Sequence, residues 1–198
     1  MKKKILFIIL GITVMVIGLV GFNSINSSVT AKDSKPEEHV RNIGATFMAN
    51  FDNKQILAGS ADYLFTGEVT EKLGEVDDFD YPTTQFKVEV SNQLQGKLPS
   101  KEVTINQYGG HHTEEVDGET IEILYLFEGD PLLETGNQYV FAANKQEDGS
   151  ILLIPLYGNT KVEENSINGG NGIIQEFEEA VKNPIVPELQ QRINESKE

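Results

Sequence analysis

The nine residues Ala61-Asp62-Tyr63-Leu64-Phe65-Thr66-Gly67-Glu68-Val69 constrain the fold more than any other stretch. The apolar run is continuous over Tyr63, Leu64 and Phe65. It then alternates through Gly67 and Val69, the signature of a strand buried on both sides at one end. Gly67 removes one side chain from the row, and an isolated glycine in a strand marks a bulge or a sharp bend. A first strand that bends in this way suits a small curved barrel, where it must curl to pair at both of its ends. Gly67 is therefore expected to be structural.

The later segments repeat this β character. Thr83 to Leu94 sets Phe86, Val88 and Val90 on one face against Gln85, Lys87 and Glu89 on the other, and Gly96 with Pro99 ends it. Glu102 to Tyr108 and Thr120 to Phe127 alternate again, the second through Ile121, Ile123 and Tyr125. Between them Gly109 to Gly118 reads as a polar loop, and Glu71 to Pro82 as an acidic, turn-rich connection. Glu128-Gly129-Asp130-Pro131 forms a turn, Leu132 and Leu133 return to the core, and Gly136-Asn137 makes a second turn. Gln138 to Ala143 and Ser150 to Tyr157 form a hairpin around Glu147-Asp148-Gly149, with Thr160 to Glu163 as an added edge. Upstream, Pro36 starts a helix carrying Val40, Ile43, Phe47 and Phe51 at helical spacing. A second short helix runs from Asn53 to Gly59, capped by Asp52. After the Asn168 to Gly172 hinge, Ile173 to Lys182 is an amphipathic helix, and Glu188 to Ile193 adds a further helical turn.

The N-terminus points to export. Met1 to Lys4 are basic, Ile5 to Phe22 is uncharged and apolar, and Val29-Thr30-Ala31 offers small side chains where a signal peptidase reads. Residues 1–31 are thus a signal peptide cut before Lys32, or a membrane anchor, since 18 apolar residues reach the lower limit for a span. Either way the acidic body faces outward. The remaining divisions are a linker and helical lead-in at 32–60, the barrel at 61–163 and a hinge with C-terminal helix at 164–198. Of the 16 basic residues, three lie in the leader, leaving 13 against 31 acidic ones. Such a field repels phosphate backbones and anionic headgroups, so nucleic acid is not an expected partner and membrane contact is confined to the N-terminal segment. The absence of cysteine excludes disulfides, thiolate metal sites and a cysteine nucleophile. Export without disulfides is common among Gram-positive bacteria.

Ala61-Asp62 with Phe65-Thr66-Gly67-Glu68-Val69, Phe86 to Val90, Gly96-Lys97-Leu98 and Gly136-Asn137-Gln138-Tyr139-Val140-Phe141-Ala142 occur in an order that resembles the netrin-like superfamily, the OB-fold barrels related to tissue inhibitors of metalloproteinases. Glu128 to Leu133 narrows the resemblance to uncharacterised exported proteins of Gram-positive bacteria with the same barrel. It covers about Asp52 to Val162. The resemblance implies a mainly β fold, a five-stranded Greek-key OB-like barrel with short flanking helices, whose open face binds oligomers or protein surfaces. Gly67, Gly96 and Gly136 are its structural positions. It carries over no activity, because the inhibitors grip a protease zinc through an N-terminal cysteine that this chain lacks.

His111 and His112, followed by Glu114 and Glu115, form the sharpest local cluster, since imidazole and carboxylate can share a transition metal. Neighbouring side chains of an extended chain point to opposite sides, so the favoured reading is a solvated loop, without an expected metal or cofactor. Asp77, Asp78 and Asp80 lack the glycine and terminal glutamate of a calcium loop. Glu128, Asp130 and Glu134 could pair for acid-base work, although a generally acidic surface explains them more simply. The expectation is an exported, non-catalytic binding module whose partner is an unknown protein or cell-envelope ligand. The alternative is a cation-dependent protein, a metal-binding module or a hydrolase using the acidic loops.

Overall fold

A computed structural model describes residues 39–47, 49–76, 79–163 and 171–195. In chain order the elements are β1 (His39–Ile43), α1 (Lys54–Ser60), β2 (Tyr63–Val76), β3 (Thr83–Gln95), β4 (Glu102–Tyr108), β5 (Gly110–Val116), β6 (Glu119–Phe127), β7 (Gln138–Lys145), β8 (Ile151–Leu153), β9 (Asn159–Lys161), α2 (Asn171–Ala180) and α3 (Glu188–Glu195). The fold is mainly β. The larger sheet runs β2-β3-β4-β8-β7-β9, and β2 also pairs with β7, closing five strands into a barrel. Numbered among themselves, the barrel strands follow the ring 1-2-3-5-4 and back to 1. The pairing of β4 with β8, third with fifth, is parallel, while the other barrel pairings are antiparallel. This is the Greek-key ring of an OB-fold.

β2 makes the closure possible because it has two partners. It meets β7 from Tyr63 to Glu68 and β3 along nearly its whole length, with a register break between Thr66 and Gly67. A Cβ added at Gly67 would lie 2.6 Å from Val88 Cγ1 and 2.7 Å from the Glu89 carbonyl oxygen. β3 therefore approaches β2 more closely here than any other side chain would allow. Gly96 terminates β3, and the Gly136 amide donates to the Val69 carbonyl at 2.7 Å.

Among the described residues, alternation along the strands produces two cores. Phe65, Val69, Phe86, Val88, Ile105 and Phe141 point into the barrel and are fully buried. Leu64, Val140 and Ala142 point outward from the same strands and are covered by Leu57 and Ala58 of α1 and Phe177 and Ala180 of α2. Each fully buried Leu or Phe contributes roughly 1.5–3 kcal/mol.

A second sheet, ordered β1-β6-β5, joins the hairpin between the third and fourth barrel strands to a strand from upstream of the barrel. Here the structure corrects the sequence reading. Residues 39–43 form a strand parallel to β6, not a helix, and Phe47 and Phe51 stack edge-on against Tyr157 at centroid distances of 5.2 and 5.7 Å. The apolar spacing was helical only because its residues serve two different surfaces. Gly109 to Gly118 is mostly strand β5, paired to β6 throughout. β2 continues to Val76 through the supposed turn. The cap of α1 is Asn53, whose side chain accepts from the Gln55 amide at 2.9 Å, and not Asp52. The leader at 1–31, Asp77, Asp78 and most of the glycine hinge lie outside the described residues.

Candidate functional site

The depression that joins the barrel to the second sheet has the most chemistry. It is a groove of about 460 Å³. One wall is the connection between the first two barrel strands, Phe79, Asp80, Tyr81 and Pro82. The other is formed by His112 and Glu114 of β5 and Tyr125 of β6. Loops of this kind, beside the second and third strands, border the ligand face of OB barrels.

Strand alternation decides which side chains reach the groove. His112 lies opposite Ile123 and Glu114 opposite Ile121, so these four share a face with Tyr125 and Phe127. His111 and Glu115 fall on the reverse face. His111 Nδ1 lies 3.3 Å from Glu75 Oε1 on β2. The four residues singled out as a metal cluster are thus divided two and two by the pleat. Among the described residues, no group of three or more histidine, aspartate or glutamate side chains is placed to hold a metal ion.

Arg41 supplies the centre of the site, which the sequence reading missed. β1 sets it opposite Tyr125, and its guanidinium lies 5.1 Å above the centre of that ring. The same group donates to Glu114 Oε1 at 2.7 Å and to the Tyr125 hydroxyl, which in turn donates to Glu114. A cation is held between an aromatic face and a carboxylate, an arrangement worth about 0.5–2 kcal/mol for the ring contact alone, depending on solvation. Behind it, Tyr81, Tyr108 and Phe127 pack with centroids 5.8 to 6.0 Å apart, and Phe79 meets Tyr108 edge-on. Burial, together with the nearby Asp80 charge, raises the Tyr108 hydroxyl above its ordinary value and keeps it protonated. The signal that pointed to this arrangement was the alternation of His39, Arg41 and Ile43, hidden beneath the helical spacing.

The remaining carboxylate candidates do not converge. Asp130 is 5% exposed and accepts from Asn159 Nδ2 at 2.7 Å, the Leu156 amide at 3.0 Å and Gln107 Nε2 at 3.2 Å. It binds the loop after β6 to β4 and to the start of β9, a structural use that leaves little acceptor capacity for chemistry. Glu134 is paired with Lys161 at 2.7 Å, and Glu128 is exposed. Comparison with models of known protein families and with curated proteins gives no match for this sequence.

Proposed function

We propose that the chain is an exported, non-catalytic binding module on a netrin-like OB barrel, and that its groove receives a cationic group of a cell-surface ligand. The observation that carries this reading is the seat of Arg41. The groove surface already holds one guanidinium between Tyr125 and Glu114, and it continues past that seat to Tyr81, Phe79 and Asp80. Aromatic faces beside carboxylates favour a positive ligand over an anion, and a formal charge of −15 attracts cations over a longer range. The cation-dependent alternative draws no support from the histidines, since the strand directs them to opposite sides.

The test is an amide-shift titration of the full chain with N-acetyl-arginine amide and with a tetra-arginine peptide. Shifts should concentrate at Phe79 to Tyr81, His112 and Tyr125. Replacing Tyr81 with alanine should weaken binding of the peptide by about tenfold, a loss of the size expected for one desolvated cation–π contact. Shifts spread over all acidic surfaces, and unchanged in the Tyr81→Ala chain, would refute the groove as the binding site.

A further inference from the structure

We propose that the edge of β6 is a strand-docking slot, which β1 fills within the chain and which an extended basic segment of a partner protein can fill in its place. The inference rests on the reading above and names the form in which the cationic group arrives.

Three observations converge on it. First, the β5–β6 hairpin projects as a pair of strands, and two strands alone are marginal in water, whereas a third provides the missing support. In this sheet the third strand is β1, added in parallel, the slightly weaker geometry per residue. Second, β1 buries little. Of its five residues only Ile43 is buried, the others are exposed, and among the described residues it pairs with no strand but β6. Third, the slot has a charge preference. The residues that pair with β1, 123–127, are uncharged, and Gly110 to Phe127 contains no lysine or arginine; the carboxylate on the Tyr125 face that meets β1 is Glu114. β1 answers this with Arg41 on Glu114 and Tyr125, and with Ile43 two residues later beside Phe127.

β1 therefore displays the recognition rule. Backbone pairing to β6 provides affinity, while alternate side chains, a basic one followed two places later by an aliphatic one, provide selection. A segment joined to the chain competes at an effective concentration in the millimolar range, so an outside strand gains access mainly when β1 is released or when its own charge is higher.

The probe is a fluorescein-labelled peptide of residues 38–46, followed by anisotropy with the full chain. Ile43→Asp should release β1, and the peptide should bind this variant at least tenfold tighter than the wild type. A peptide with Arg41→Glu should bind it at least tenfold more weakly, and one with Glu38→Lys and His39→Lys should bind more tightly. Because the chain has no cysteine, Val40→Cys with Leu124→Cys forms a staple across a register pair. Oxidation should abolish the weak wild-type-like binding and reduction should restore it. This comparison holds even if Ile43→Asp perturbs folding. Equal affinity for wild type and Ile43→Asp, equal affinity of the native and Arg41→Glu peptides, no gain from the added lysines, or binding unaffected by the staple would each overturn the slot. Tyr81-dependent binding of arginine amide would survive any of these results, so failure of the slot is distinguishable from failure of the groove.

Discussion

At Gly67 the constraint is the neighbouring strand, because a Cβ there would run into Val88 and the backbone of Glu89. Gly67→Val should lower stability by about 1–3 kcal/mol, the usual range for overpacking, read as a reduced midpoint in chemical denaturation. Asp130 is limited by solvation. Its burial raises the carboxyl above its ordinary value of 3.8, outweighing the three hydrogen bonds that favour the ionised form. The folded state therefore binds this proton more tightly than the unfolded state. The resulting contribution to stability is complete below the unfolded value and is lost as pH rises through the folded one. Asp130→Asn removes that titration and turns an amide toward a donor, at a cost of about 1–3 kcal/mol for the unpaired group. Leu156, at φ +66°, also loses a constraint on its left-handed backbone. In a pH series of thermal midpoints, the advantage of wild type over Asp130→Asn should shrink as pH rises over the interval above the ordinary aspartate value of 3.8. An advantage that grows over this interval would reverse the assigned sign.

Among the elements, strands with one wet face were legible and strands wet on both faces were not. β3 was evident because Phe86, Val88 and Val90 alternate with polar residues. In β5, His111, Thr113 and Glu115 face one way and His112 and Glu114 the other, so no apolar period exists to detect. The strand is held by backbone pairing to β6. The turn joining them carried the missed signal, since Asp117-Gly118 is a two-residue hairpin sequence and both residues have positive φ, 54° and 83°. Gly118→Ala meets no steric obstacle and acts only through backbone conformation. It should cost about 1 kcal/mol and speed amide exchange in β5 and β6 about fivefold, while leaving the barrel amides unchanged. Faster exchange throughout the barrel would mean that the hairpin and the barrel open as one unit. β1 escaped detection for a different reason, because Val40 points to solvent while Ile43 points inward, and a count of apolar positions treats both alike.

For the molecule as a whole, the barrel could be read early because its inward and outward faces are both apolar near β2 and β7, so the strands signal themselves without help from their neighbours. The groove could not be read in this way. It is assembled from the 79–82 connection, the hairpin and a strand more than 70 residues upstream of its ion-pair partner, and no local pattern reports such a meeting. The double pairing of β2 has a further meaning in time. Asp62, at its start, receives the Lys145 amide from 83 residues away. The first three barrel strands can assemble by short-range hairpin contacts, but the ring stays open until β7 arrives. Closure entropy increases with the length spanned, and folds governed by distant pairings are correspondingly slow. Throughout that delay the Tyr63 to Glu68 stretch, though paired to β3, is unpaired on its β7 side, an apolar and adhesive edge of the unfinished chain. How long β7 takes to reach it sets the period in which two nascent copies can mistake each other for themselves.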